Sequence, residues 1–214
     1  MNRLQSLRPF LTPAAALAVT LSFSAGCNKH VDNTPHYIEA INNYYAGHPA
    51  CLWDDDMKFP VQANTSDASK TAPYDALVDQ GLLVRTTDEK KVMIIASKQV
   101  NNYDLSEKGR AAWVADPDRP GFGNFCYGHR KVSGIDSATP TDGQRGSSTT
   151  VAYHYTIADP AAWATAQETQ TAYPKIQQDL SGPHSATAVL LSTDEGWKVA
   201  RPSTTAPATP PPAQ

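Results

Sequence analysis

Residues 71–86 read TAPYDALVDQGLLVRT, and the hydrophobic period changes in the middle of them. Before Gly81, Tyr74, Leu77 and Val78 recur at the spacing of one helix face. After it, Leu82–Thr86 is a short strand-like run. A helix over about 71–80 is therefore predicted to stop at Gly81, since glycine readily takes the left-handed conformation that closes a helix. A polar turn through Asp88 to Lys91 and a second strand, Val92–Ala96, follow. A third short strand is expected near Tyr103–Leu105, and Ser106 can cap a brief helix through Trp113.

Outward from this stretch the chain keeps mixing the two periods. On the N-terminal side, Thr34 can cap a helix with Pro35 in its first turn. Ile38, Ile41 and Tyr45 recur at helical spacing, and Gly47, His48 and Pro49 stop the run. On the C-terminal side, DPDRPG (116–121) has the composition of an exposed connection. Phe125–Ile135 reads as a strand and 139–148 as a turn-rich link. Val151, Tyr153, Tyr155 and Ile157 alternate with Ala152, His154 and Thr156, the period of a half-buried strand. Asp159 and Pro160 open a helical segment that Pro174 must interrupt. Ala186–Ser192 and Trp197–Ala200 form a hairpin around TDEG. The fold class is α+β: a lobe over 34–115, then a small antiparallel sheet with one helical connection over 122–201. Residues 202–214, rich in proline, read as a disordered tail.

The first residues set an address. Arg3 and Arg8 precede an apolar stretch, Phe10–Phe23, with no acid among them. A basic start and a short apolar core are the signature of an export signal. The stretch is shorter than the ~20 apolar residues that span a bilayer. It ends in SAGC (24–27), which resembles the lipobox of bacterial lipoproteins, with Ser24 where leucine is usual. The resemblance implies a signal peptide over 1–26, lipid on Cys27, a polar tether over 27–33 and a place on the extracytoplasmic side of a membrane. Asn28 favours the outer membrane if the cell is Gram-negative. Ordinary secretory cleavage after Gly26 is the alternative. Loss of Arg3 and Arg8 leaves 16 basic against 21 acidic residues, a net charge of −5. That balance argues against nucleic acid, whose phosphates demand clustered Lys and Arg.

Two further resemblances bear on the mature chain. YDALVDQGLLV (74–84), the hairpin to Ala96 and YDLSEKGR (103–110) are similar to a winged helix, in which a helix ends at a glycine, two strands make the wing and a Ser-Glu-Lys-Gly stretch opens the next helix. The equivalent of its recognition helix carries Asp75 and Asp79 and no Arg or Lys over 71–80. The resemblance therefore implies a scaffold or protein-contact lobe. FCYG (125–128), VAYHYTI (151–157) and DEGWKV (194–199) resemble a family of small, uncharacterised bacterial envelope lipoproteins, which implies no particular activity.

Candidate chemistry is sparse. HPAC (48–51) and CYGH (126–129) offer two thiols and two imidazoles at spacings that suit tetrahedral zinc: His48, Cys51, Cys126 and His129. In an oxidising compartment the same cysteines form a disulfide; buried free thiols are the third reading. Asp54–Asp56 offers oxygens for calcium but lacks the alternating ligands of a calcium loop, and a solvated acidic turn fits it. His154 could serve as a general base, with Ser147, Ser148 or another scattered hydroxyl as nucleophile, or be a surface-facing strand residue. Trp53, Trp113, Trp163 and Trp197 suit core anchors or an exposed platform. The expectation is a non-enzymatic, lipid-anchored module without cofactor, held on the membrane and facing an envelope protein or the cell-wall polymer. A metal-dependent or hydrolytic enzyme and a small-ligand carrier, with a cavity beneath Tyr153 and Trp197, are the alternatives.

Overall fold

The computed structural model describes residues 32–93 and 96–203. The signal segment, Cys27, most of the tether and residues 204–214 lie outside them. Elements run in the order α1 (Thr34–Ala46), β1 (Ala50–Cys51), β2 (Met57–Lys58), β3 (Val61–Asn64), α2 (Ala68–Asp79), β4 (Leu83–Met93), β5 (Ala96–Leu105), α3 (Glu107–Ala112) and β6 (Trp113–Ala115). Then come β7 (Phe122–Ala138), β8 (Ser148–Ala158), α4 (Ala162–Thr165), α5 (Gln167–Ala172), α6 (Pro174–Leu180), β9 (His184–Thr193) and β10 (Gly196–Ser203). Every strand pairing is antiparallel, so the class is α+β.

The helix that ends at Gly81 forms as its sequence predicts. Gly81 has φ 71°. Its N–H donates to the Val78 carbonyl at 2.8 Å and that of Leu82 to Leu77 at 2.9 Å, the paired bonds that satisfy a helix end. The hairpin is longer than the polar turn suggested. β4 runs through Asp88–Lys91, with Asp88 opposite Val100 and Lys90 opposite Lys98, and β5 absorbs the expected third strand. Residues on a solvated hairpin need no apolar alternation, so TTDEKK gives no strand signal. Ser106 caps α3, accepting from the Gly109 N–H at 2.8 Å. A Cβ on Gly109 would lie 1.9 Å from the Leu82 carbonyl oxygen, so this close crossing accepts only glycine.

β3, β5 and β4 form a three-stranded sheet in that order. The larger sheet runs β1-β7-β8-β9-β10, and β2 and β6 also pair with β7, both opposite Gly123. The 116–121 connection thus joins two strands of one sheet. One hydrophobic cluster holds Leu77, Leu82, Tyr103, Phe125, Tyr127, Trp163 and Ile176. The other lies where Tyr37, Ala40, Ile41 and Tyr45 of α1 meet Val132, Val151, Tyr153, Ala188 and Leu190. Spacings of three and four put the α1 residues on one stripe. Each large side chain so buried stabilises the fold by roughly 1.5–3 kcal/mol. α1 therefore fills the space beneath Tyr153, and Trp197 meets Tyr37 edge-on at 5.2 Å. Pro174 begins α6, and the helical connection is three short helices rather than one. β10 extends to Ser203, which pairs with Thr187, so the first two residues assigned to the tail belong to the sheet. Among the described residues no helix is long and apolar enough to cross a membrane.

Candidate functional site

The four-ligand pattern does not assemble. Cys51 and Cys126 are opposite each other on β1 and β7 and are joined by a disulfide across 75 residues. Bonded sulfurs are not thiolates, so zinc loses two of its donors. His48 is engaged elsewhere: its Nδ1 lies 2.7 Å from the Tyr44 carbonyl and its ring stacks on Tyr44 at 4.0 Å. Among the described residues no three His, Cys, Asp or Glu side chains gather as a metal site. His129 instead borders an open concavity of about 410 Å³ with Ala46, Pro49, Cys126 and Asp159. Its Nε2 is 4.0 Å from the Asp159 carboxylate.

Two of the three carboxylates of the acidic run are paired. Asp54 pairs with Lys175 at 2.6 Å, which holds the Asp54 carboxyl below the usual aspartate range through the hydrogen bond first and the charge second. Asp56 meets Arg119 at 3.2 Å. The four tryptophans pack in the cores: Trp53, Trp113 and Trp163 with the first cluster and Trp197 with the second.

Among the described residues, a groove lies between α2 and α5. The α2 stripe Ala72, Asp75, Ala76 and Asp79, at spacings of three and four, faces Glu168, Thr171 and Ala172 of α5 across a groove of about 550 Å³. Small side chains and carboxylates line it together. Asp75 is held in place: Arg85 donates to it at 2.7 Å and the buried Tyr103 hydroxyl at 2.9 Å. Burial is the main cause raising the Tyr103 hydroxyl's pKa, so it remains a donor. Asp79 and Glu168 are exposed and, among the described residues, have no ion-pair partner. From the opposite side, the Tyr173 hydroxyl donates to the Pro73 carbonyl at 3.0 Å, fixing the helical connection to α2. Of this groove the sequence showed Asp75 and Asp79 on a predicted helix; the alanines beside them and the α5 half gave no signal.

A second unforeseen cluster sits where the two cores meet. The Arg130 guanidinium lies 5.3 Å from the Tyr45 ring centre and 5.6 Å from that of Tyr155. Tyr45 and Tyr153 share a hydroxyl hydrogen bond of 2.7 Å. The Tyr127 hydroxyl donates to Asp179, and burial, then that carboxylate, pushes its pKa upward. These residues brace α1 and α6 against the sheet. His154, turned to the face away from α1, binds Asp136 through Nδ1 at 2.6 Å. Ser147 is tied to the Gln144 carbonyl at 2.6 Å, and Ser148 pairs with Leu191, far along β8 from His154. No known protein family, no curated protein and no solved structure matches this chain.

Proposed function

We propose that this protein is a lipid-anchored envelope module that docks a cationic segment of another envelope protein in its α2–α5 groove. The observation that carries this reading is the groove itself, lined by Ala72, Ala76 and Ala172 together with the exposed carboxylates of Asp79 and Glu168. Such a surface suits a chain that lays small or apolar groups inward and Lys or Arg at the rim. The same charges repel phosphate, which turns the reading from nucleic acid to protein. The order β3, α2, β4, β5, α3, with Gly81 closing one helix and Ser106 opening the next, supports reading this region as winged-helix-like, with α2 as its contact helix. The address rests on the basic and apolar start and on SAGC at 24–27.

Site-specific photocross-linking from Thr171 in native membranes tests the docking. One partner should be captured, and Asp79→Lys with Glu168→Lys should abolish the capture. Equal capture from Val114, a distant exposed position, or indifference to the charge reversal would overturn it. Intact mass of the membrane-extracted protein tests the address: a chain beginning at an acylated Cys27 is expected, and an unmodified N-terminus would refute it.

A further inference from the structure

The face of the larger sheet turned away from α1 carries an arrangement that neither the groove nor the core uses. Three adjacent strands contribute to it. Gly134 of β7 is opposite His154 of β8, and His154 is opposite Ser185 of β9. Residues directly opposite on neighbouring antiparallel strands point to the same face, with Cβ atoms about 4.5–5.5 Å apart. Asp136 joins them because β7 bulges on both sides of the Gly134–Ile135 pair, between Val132 and Gly134 and between Ile135 and Ser137. The second bulge leaves Asp136 out of the ladder, and its carboxylate reaches His154 Nδ1 at 2.6 Å. Asp136 and His154 keep 41% and 43% of their side chains exposed, and Ser185 is exposed.

We propose that Asp136, His154 and Ser185 form a serine-nucleophile site on this face, acting on carboxylic esters. A carboxylate can only accept, so beside Asp136 the neutral form of the imidazole would carry its proton on Nδ1 and its lone pair on Nε2. Nε2 has no hydrogen bond among the described residues. Ser185 is the hydroxyl in register with it. Gly134 puts no side chain beside the ring, and a Cβ built there meets nothing within 4 Å, so an ester can lie over the backbone at that point. In the reaction, Ser185 Oγ bonds to the acyl carbon while its proton passes to His154 Nε2. The carbon–oxygen bond to the leaving alcohol then breaks, and the alcohol takes that proton. Water, giving a proton to the same nitrogen, cleaves the acyl–serine ester and releases the carboxylic acid, and Ser185 regains its hydrogen. Asp136 holds the ring and offsets its charge throughout.

The test is labelling of the mature protein with a fluorophosphonate, the adduct mapped by peptide mass spectrometry, alongside hydrolysis of p-nitrophenyl acetate. Ser185 should carry the adduct, and Ser185→Ala should abolish it, whereas Ser147→Ala and Ser148→Ala should not. His154→Ala should slow labelling at least about 100-fold, and added imidazole should restore part of the rate. Asp136→Asn should slow it with no change in thermal unfolding large enough to account for the loss. Absence of an adduct on Ser185, or labelling unaffected by His154→Ala, would overturn the proposal and leave Asp136–His154 as a surface ion pair.

Discussion

Breaking the Cys51–Cys126 disulfide gives the most direct measure of how the α2 region is held. The bond spans 75 residues, and the loop it closes contains β2 to β6, α2 and α3. In the chain-entropy account, a cross-link over that length removes about 15 cal/mol/K from the unfolded chain, or about 4.5 kcal/mol at 25 °C. Domains have only about 5–15 kcal/mol of net stability, so this is about 30% or more of the whole. The perturbation is Cys51→Ala, Cys126→Ala and the double variant, with stability read from urea unfolding by linear extrapolation. All three should lose about 4 kcal/mol, because either single change breaks the same bond; the effects should not add. A loss below about 1 kcal/mol in the double variant would refute the reasoning. It would mean that the unfolded chain already keeps the two ends together. A double loss near twice the single losses would refute it differently, by showing that packing of each side chain dominates.

Other positions carry expectations of the same kind. Gly109→Ala puts a methyl 1.9 Å from a backbone oxygen. It should destabilise by about 1–3 kcal/mol or more, measured by thermal unfolding, because backbone must move to admit it. Asp54 is held below the ordinary aspartate range by Lys175. Its folded pKa is depressed, so its contribution is present above the unfolded aspartate pKa and is lost as pH falls through the folded value. An NMR titration should show Asp54 ionising below ordinary aspartates. Lys175→Ala should return it to the ordinary range, and the stability difference between variant and parent should vanish in acid.

Much of the fold is written in short-range pattern. Tyr74, Leu77 and Val78 mark α2 and Gly81 marks its end. The alternation of Val151 to Ile157 separates the face under α1 from the face that carries His154, and Pro174 marks the break before α6. Where pattern was silent, the reason is physical. Lys90 and Lys98 face each other on a solvated hairpin, which needs no apolar alternation to pair. HPAC and CYGH presented four equivalent donors, and nothing in their spacing distinguished a metal from a sulfur–sulfur bond.

The sequence by itself determined where helices stop, which strand residues face inward and which cysteines were available to meet, because periods of 3.6 and 2 and the preferences of glycine and proline act over a few residues. Only the tertiary structure decided that α5 completes a groove with α2, that Arg130 rests against Tyr45 and Tyr155, and that His154 and Ser185 share one row with the Asp136 carboxylate beside them. The last of these depends on strand register and on two bulges in β7. A shift of one residue would send each side chain to the opposite face, and register is set by the packing of the whole sheet rather than by any local run of residues.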